Sequence, residues 1–149
     1  MKKIYSAAIV LVILSGTGCA SLSGLLKQKV TVGEAISYKV AIDNAANPAR
    51  KHVLLESLRD KRISIPSATV KRVDASSNID YDFEVVLEMS TSKGMVECYV
   101  YSHDVKKLAD LKAGTTRISV EGDFSRFFTM LDEYYTKIEI VNSSIQLVN

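Results

Sequence analysis

The most informative stretch of this chain is residues 95–124, MVECYVYSHDVKKLADLKAGTTRISVEGDF. It opens with Met95 to Tyr101, a run rich in β-branched and aromatic side chains that predicts a strand. Ser102 is a suitable N-cap for a helix after that strand, and Gly114 is a suitable residue to end the helix. Thr115 to Val120 predicts another strand. The stretch as a whole therefore predicts strand, helix, strand.

Alternating hydrophobic side chains predict two strands before this stretch and one after it. The apolar positions are Ile63, Ile65, Ala68, Val70 and Val73 in the first, Tyr81, Phe83, Val85, Leu87 and Met89 in the second, and Ile138, Ile140, Ile145 and Leu147 in the last. Bulges are expected at Pro66, at Gly122 (or else the end of the fourth strand there) and at Asn142 to Ser144. This order predicts a mainly β fold, a five-stranded OB-fold barrel with a helix between strands 3 and 4.

The region before the barrel carries a helix signal and a strand signal that compete. Thr31 and Glu34 have the spacing of a capping box, which predicts a helix starting at Val32. Residues 36–42, however, alternate between apolar and polar side chains, as in a half-buried strand. We favour the helix and leave the strand open for residues 32–42.

A second helix is predicted more clearly. Asn47 followed by Pro48 is a typical helix start, and Leu54, Leu55 and Leu58 follow at helical spacing. This N-terminal helical segment is expected to cover one end of the barrel.

The first eighteen residues have the features of a signal peptide. Lys2 and Lys3 are followed by an apolar run that is too short to span a bilayer comfortably, and then by small residues up to Cys19. The stretch LSGTGC resembles the lipobox of bacterial lipoproteins, and this resemblance implies that Cys19 carries a lipid such as palmitate. An ordinary secreted protein with an incidental Cys19 is the alternative.

The predicted organisation is a signal peptide over residues 1–18, a lipidated N-terminus and tether over 19–30, and an OB-fold domain with its N-terminal helical region over 31–149. Ala20 follows the cysteine where aspartate would imply retention at the inner membrane. By resemblance to lipoprotein sorting, this implies the cell envelope, at the periplasmic face of the outer membrane.

The charge balance argues against a nucleic-acid ligand. The chain has 19 Lys and Arg against 17 Asp and Glu. Removal of the leader takes away Lys2 and Lys3 and leaves 17 of each sign. Strong nucleic-acid binders usually carry a basic excess, because phosphate contacts supply most of their non-specific affinity. We therefore expect nucleic acid to be an unlikely partner.

Residues 47–149 resemble a bacterial OB-fold family described as tRNA-anticodon-like, which occurs in many small lipoproteins. The resemblance rests on NPARKHVLLESLRDKRISIPSATVKRV, MVECYVY, LADLKAGTTRISVEGDF and IEIVNSSI. It implies the fold, and it implies nucleic-acid binding only by analogy of fold, which does not determine function.

Two candidate binding regions follow from the predicted barrel. OB folds bind ligands on the outer face of their second and third strands, where the alternation places Glu97, Tyr99 and Tyr101. These tyrosines either stack on bases or sugars or half-cover the barrel. The second region is DFSRFFTMLDEYY, residues 123–135, with Phe124, Phe127 and Phe128. It is either packed on the barrel, as a helix or long hairpin, or presented to a partner, and the spacing of its apolar residues favours a packed helix.

We expect no catalytic site, no cofactor and no metal. His52 and His103 stand outside metal-ligand spacings and are predicted to be surface residues. Cys98 alternates with Val96 and Val100 and is predicted to be a buried, unreactive thiol rather than a disulfide partner of Cys19. The function expected is a membrane-anchored, non-enzymatic binding module for an envelope protein or glycan. Single-stranded nucleic acid is the alternative ligand.

Overall fold

The fold is seen in a computed structural model, which describes residues 27–128 and 136–148. The elements are β1 (Lys29–Thr31), α1 (Val32–Asp43), α2 (Pro48–Arg59), β2 (Arg62–Ala75), β3 (Phe83–Thr91), β4 (Gly94–Ser102), α3 (Val105–Ala109), β5 (Arg117–Phe128) and β6 (Thr136–Leu147). Strands β2 to β6 correspond to the predicted strands 1 to 5.

Five of the strands close into a barrel. The order is β2-β3-β4-β6-β5, and β5 pairs again with β2. The contact between β4 and β6 is parallel, and the other barrel contacts are antiparallel. This is the OB-fold arrangement, with α3 between the third and fourth barrel strands, so the predicted fold class is confirmed. The short strand β1, which was not predicted, adds to β2 in parallel.

Strand β2 serves two neighbours because it bends. Its first half pairs with β5 and its second half with β3. The pairing with β5 shifts between Ile65 and Ala68, which places the irregularity at Pro66, where it was predicted. A second shift lies between Val70 and Arg72. Proline has no N–H to give to the ladder, so a strand accepts it where pairing is already interrupted.

The core lies inside the barrel and consists of the side chains that alternate inward. Its fully enclosed members include Ile63, Val70, Val85, Leu87, Cys98, Val100, Ile118, Ile138 and Ile140. Phe83 and Met89 are partly buried against the same cluster. The predicted inward set is therefore confirmed except at Tyr81, which packs on Tyr101 outside the barrel core, and at Leu147, which is 61% exposed. Cys98 is a buried free thiol, as predicted.

The N-terminal segment folds as two helices that pack on this core. Thr31 caps α1, and the capping box with Glu34 is complete. The buried side chains of α1 are Val32, Ala35 and Ile36, which have the spacing of a helix face, so the alternative prediction of a strand over 32–42 is wrong. In α2, Asn47 is the N-cap, Pro48 the first helical residue, and Leu58 is fully buried.

The helix between β4 and β5 is shorter than predicted. Asp104, not Ser102, is its N-cap, since the Asp104 carboxylate accepts from the Lys107 N–H. Ser102 is the last residue of β4. Gly114 lies beyond the helix, in a turn with φ +75°, where its N–H donates to the Val70 carbonyl at 2.8 Å. It therefore serves the connection to β5 rather than the helix end.

The segment predicted to be a helix after the fourth strand is strand over its described part. Residues 123–128 belong to β5, which pairs with β6 up to Phe128 opposite Lys137. The helical spacing of its aromatic residues was therefore misleading, because Phe124 and Phe128 lie on opposite sides of the barrel wall. Met130, Leu131, Tyr134 and Tyr135 lie outside the described residues.

Bulges lie where the predictions put them in β5 and β6. The pairing of these strands shifts between Glu121 and Asp123, around Gly122. Opposite this shift Asn142 has a positive φ of 49°. Strand β6 pairs with β4 only up to Ile140 and continues beyond it with β5.

Several predictions concern residues that the structure does not describe. The signal peptide, Cys19 and residues 20–26 of the tether lie outside the described ranges. Within residues 27–128 and 136–148, no helix is both long and apolar enough to cross a membrane.

Candidate binding surface

The surface that OB folds use for ligands is here the outside of β3 and β4, extended by β6. Alternation along these strands turns one set of side chains away from the core. We call this set the outer face: Glu84, Val86 and Glu88 from β3, Glu97, Tyr99 and Tyr101 from β4, and Lys137 and Glu139 from β6. The predicted outward orientation of Tyr99 and Tyr101 is confirmed.

The centre of the outer face is covered rather than open. Tyr99 and Tyr101 are only 5% and 1% exposed, and they form a second apolar cluster with Val86. Phe128 packs edge-on against Tyr99, with ring centroids 5.1 Å apart. Tyr81 stacks on Tyr101 at 5.6 Å. The tyrosine rings are thus occupied by the domain's own aromatic residues, in keeping with a role in covering the barrel.

One end of the outer face is organised by the Tyr99 hydroxyl. It accepts from Arg72 Nη2 at 3.1 Å and Lys137 Nζ at 3.2 Å, and it donates to Glu97 Oε2 at 3.2 Å. Lys71 Nζ donates to both Glu88 and Glu97 at 2.6 Å. Burial acts to raise the pKa of Glu97, but the hydrogen bonds from Lys71 and Tyr99, together with the positive charges of Lys71 and Lys137, outweigh burial and hold that pKa below its usual value.

The other end is organised by Glu139, which is buried on β6. Arg126 donates to its two carboxylate oxygens through Nε and Nη2, each at 2.7 Å. The Tyr101 hydroxyl donates to Glu139 Oε1 at 3.2 Å and lies 3.1 Å from the Ser77 hydroxyl. Burial raises the pKa of Tyr101 to about 12. The Ser125 hydroxyl also donates to Glu139 Oε2, at 3.5 Å, so this buried carboxylate is held by one bidentate arginine and two neutral donors.

The loop between β2 and β3 closes one flank of this face. Ser77 donates to the buried Glu84 carboxylate through its N–H at 3.0 Å and its hydroxyl at 2.6 Å. The Tyr81 hydroxyl accepts from the Asn142 N–H at 3.1 Å. Tyr81 also stacks on His103, 5.0 Å away, whose Nδ1 lies 2.9 Å from Asp82. His103 remains on the surface, as predicted.

The structure separates the six side chains predicted to bind a ligand. Glu97, Tyr99, Tyr101 and Phe128 meet on the outer face. Phe124 is instead a core residue at 3% exposure, and Phe127 packs on it with centroids 4.7 Å apart. A ligand on the outer face would not reach Phe124, whereas Phe127 lines a concave surface together with Arg126 and Phe128.

Sequence reasoning missed Lys137 and Glu139 as members of this network. Their alternation with Ile138 predicts an outward position, and outward charged residues are usually solvated. Both are nevertheless buried. The only sequence feature that indicated such burial was the nearby run of aromatic residues, because large apolar side chains need a surface to pack against.

A second concave surface lies away from the outer face, and the sequence did not reveal it. This α3–β6 groove has a volume of about 330 Å³ and is lined by Lys106, Lys107, Asp110 and Leu111 on one side. Residues 145–147 of β6 form the other side. Leu147 is 61% exposed there.

Within the described part of the chain, no group of three or more His, Cys, Asp or Glu side chains is arranged to hold a metal ion. His52 lies on the exposed side of α2.

Comparison with known proteins finds no family or curated relative, and finds solved structures that are only distantly similar. No protein family matches the chain, and no curated protein is similar to it. Solved structures do match. One is the solution NMR structure of the OB domain of a Methanosarcina mazei protein, at 13% identity and a TM-score of 0.33, over 59% of this chain and 71% of that one. So distant a likeness carries no argument about ligands, and the OB-fold assignment rests on the strand pairing above.

Proposed function

We propose that this protein is a non-catalytic OB-fold binding domain, held at the envelope membrane by a lipid on Cys19, whose partner is a protein or an oligosaccharide. The observation that carries the proposal is the charge pairing on and beside the outer face. Four cations there, Lys71, Arg72, Arg126 and Lys137, each form an ion pair with a carboxylate of the same domain. The carboxylates in the same region are Asp74, Glu84, Glu88, Glu97 and Glu139.

This balance supports a partner without phosphates. Five carboxylates against four cations leave the region with a formal charge of −1. A nucleic-acid backbone would have to break ion pairs to find a cation, and the remaining carboxylates would repel it. Affinity for nucleic acid comes mainly from counterion release by free positive charge, which this surface lacks within the described residues.

The nucleic-acid alternative is tested by retention on single-stranded DNA. The full-length chain is applied to an immobilised oligodeoxythymidylate column at low and at physiological salt. We expect no retention in either condition. Retention at low salt that weakens steeply as salt rises would support the nucleic-acid function instead.

The partner is sought by crosslinking the intact protein in membranes and purifying it under denaturing conditions. A defined crosslinked protein or glycan band is the expected result. Arg126→Ala, which changes a side chain that is 64% exposed at the rim of the outer face, is compared with Lys29→Ala, distant from it. Absence of any crosslinked species with the wild-type chain would count against a binding function.

The anchor is tested separately. We expect mass spectrometry of the purified protein to find an N-terminal peptide that begins with an acylated Cys19. Cys19→Ser should leave the membrane fraction. A mature chain with an unmodified thiol at residue 19 would remove the lipid from the proposal and leave the binding domain.

A further inference from the structure

We infer that a pocket at the border of the outer face binds an uncharged sugar ring of an envelope glycan. The pocket lies where helices α1 and α2 meet the end of β5, and we call it the α1–β5 pocket. This inference deepens the proposed function, on which it rests, because it selects the glycan among the partners and names where one of its rings is held. It depends on three features of the pocket: an apolar floor, a rim of hydrogen-bonding groups and a balanced charge.

The α1–β5 pocket is continuous with the outer face. Arg126 lines the pocket and also holds Glu139 on the outer face. Phe128 lines the pocket and packs on Tyr99 of the outer face. The volume of the pocket is about 320 Å³, which lies within the range of roughly 300–1,000 Å³ for small-ligand pockets. A ligand ring can therefore enter here, although the centre of the outer face is covered.

The first feature is an apolar floor. Ile42 comes from α1, Leu55 from α2 and Phe127 from β5. Leu55 and Phe127 are partly buried against the barrel core, which fixes their positions. Phe128 adds a second aromatic ring. A sugar ring has an apolar face of C–H groups, which packs on side chains of this kind and is removed from water there.

The second feature is a rim of polar groups on two sides of this floor. On β5, Arg126 is 64% exposed and donates to Glu139 through Nε and Nη2, so Nη1 has no partner among the described residues. On α1, Lys39 Nζ donates to Asp43 Oδ2 at 2.6 Å. Asp43 is 59% exposed, and its Oδ1 accepts from no described donor. The rim therefore offers a fixed donor on one side and an acceptor on the other.

The shape of a sugar ring matches this arrangement. Its hydroxyl groups project from the edge of the ring, and each of them can both donate and accept. A ring packed flat on the floor directs its hydroxyls at the rim, where they meet Arg126 Nη1 and Asp43 Oδ1. An apolar side chain of a protein partner would cover the same two atoms and leave them unpaired, which costs free energy. The pocket therefore favours a sugar over an apolar side chain.

The third feature is charge, and it excludes ionic ligands. The charged side chains that line the pocket are Lys39, Asp43 and Arg126, and Arg126 is neutralised by Glu139. Two cations against two carboxylates give a formal charge of zero. An anion would face Asp43 and Glu139, and a cation would face Lys39 and Arg126. An uncharged ligand meets neither repulsion, so we commit to a sugar without charge.

The charged side chains around the pocket keep this balance. The neighbours on α2 and β6 are themselves paired, Glu56 with Arg59 and Lys137 with Glu97. Arg50 and Lys51, in the first turn of α2, are exposed and lie outside the lining. A contribution from these two cations would appear as salt dependence of binding, which the test measures.

The test uses the full-length chain, ¹⁵N-labelled and purified in a detergent without a sugar headgroup. The probe is the uncharged trisaccharide of N-acetylglucosamine. At millimolar concentration we expect it to shift the amide signals of residues 39–43, 55 and 126–128 saturably, with an affinity that does not change as salt is raised.

Two matched probes check the chemistry of the ligand. The de-N-acetylated trisaccharide has the same rings and linkages, and its amines are charged in slightly acidic buffer. We expect it to bind about tenfold more weakly, because a cation would face Lys39 and Arg126. A capped, uncharged peptide that alternates leucine and serine represents a protein segment and should not bind.

Two matched variants test the rim. Asp43→Ala removes the acceptor and should weaken binding of the uncharged trisaccharide about threefold to tenfold, the effect of one lost hydrogen bond. Asp60→Ala removes another exposed aspartate at a helix C-terminus, that of α2, and should leave binding unchanged. Both variants should unfold at nearly the same urea concentration as wild type, because the ion pair of Asp43 with Lys39 is partly exposed and contributes little.

Five outcomes would overturn the inference: no binding at millimolar trisaccharide, equal binding of the charged form, binding of the peptide in place of the sugar, shifts that map outside the pocket, or undiminished binding to Asp43→Ala. Its failure is distinguishable from failure of the proposed function. If the wild-type chain forms a crosslink in membranes while the trisaccharide does not bind, the pocket is wrong and the binding function stands. If neither a crosslink nor sugar binding is found, the function itself fails.

Discussion

Gly122 lies on β5 where residues of β6 pack closely against it. A Cβ atom at this position would meet Ile140 Cγ2 at 2.5 Å, the Val141 carbonyl at 2.9 Å and Ser143 Cβ at 3.1 Å. Two of these neighbours are fixed, because Ile140 is a fully buried core residue and Val141 O is a backbone atom. The glycine is therefore required by packing at the bulge.

Gly122→Ala should destabilise the domain by about 1–3 kcal/mol, measured by urea unfolding, because the extra methyl overpacks the bulge. Gly33→Ala is the matched control, since the nearest atom to its added Cβ is 3.9 Å away. The control should be neutral or stabilising, because alanine favours a helix. Equal stability of the two variants would contradict the packing argument.

Cys98 is the second residue whose behaviour is set by its surroundings. Burial raises the pKa of its thiol from 9.0 to about 12. The thiolate is the reactive form, so at pH 8 we expect native Cys98 to resist a maleimide and to react only after unfolding. The same pKa difference predicts that stability falls as pH rises from about 9 toward 12, since the unfolded chain loses this proton first. Rapid labelling of the native chain at Cys98, mapped by mass spectrometry, would contradict this.

At the scale of the elements, the capping box of helix α1 prevails over the strand-like alternation of its side chains. Residues 36–42 alternate as a strand would, yet the capping box at Thr31 and Glu34 and the contact of three side chains with the core produce a helix. Hydrogen bonds from the Thr31 N–H and hydroxyl lower the pKa of Glu34. The stabilisation from this carboxylate is present above about pH 4.5 and is lost as pH falls below it.

Thr31→Ala should therefore cost about 1 kcal/mol in unfolding free energy at pH 7, as is usual for loss of an N-cap. Ser37→Ala is the control within the same helix, because the Ser37 hydroxyl only donates to the Gly33 carbonyl on an exposed face. The difference between the two variants should shrink as pH is lowered toward 3. A Thr31→Ala chain as stable as the control at pH 7 would show that the capping box contributes nothing.

Most of the elements were predictable because their signals are local. The N-caps of α1 and α2, the alternation of β2, β3 and β4, and the interruption at Pro66 need no knowledge of distant residues. The last part of β5 was predicted wrongly because Phe124, Phe127 and Phe128 also fit helical spacing. Only pairing with β6, which comes later in the chain, makes this segment a strand.

At the scale of the whole molecule, ion pairs on and beside the outer face join β2, β3, β4 and β6, and the pair between Lys137 and Glu97 is buried. Lys71 links β2 to β3 and β4, through Glu88 and Glu97. The Glu97 side chain is only 7% exposed, whereas Lys29 pairs with a Glu121 side chain that is 40% exposed. Lys71 therefore neutralises two carboxylates, one of them buried, whereas Lys29 neutralises one exposed carboxylate.

Lys71→Met should destabilise the domain by about 1–3 kcal/mol, because it removes a donor from a buried carboxylate. Lys29→Met, the matched control, should change the free energy of unfolding by less than about 0.5 kcal/mol, since exposed ion pairs contribute little. Urea unfolding at low and high salt measures both. If the two variants lose the same stability, burial of Glu97 has no energetic effect.

The amino-acid order alone determined the barrel class, the inward side chains of its strands, the two N-terminal helices and the burial of Cys98. It did so because period-two alternation, capping residues and proline are local signals, each contained within a few neighbouring positions of the chain. Tertiary structure decided which outward residues are open to a partner. Alternation predicts that Tyr99, Lys137 and Glu139 point outward from the barrel. Their burial depends on residues from distant parts of the chain, which the fold brings to the same face. Among these are Ser77, Tyr81 and Arg126. The free edge of β6 is likewise set by where β4 stops pairing, a property of two strands together and of neither sequence by itself.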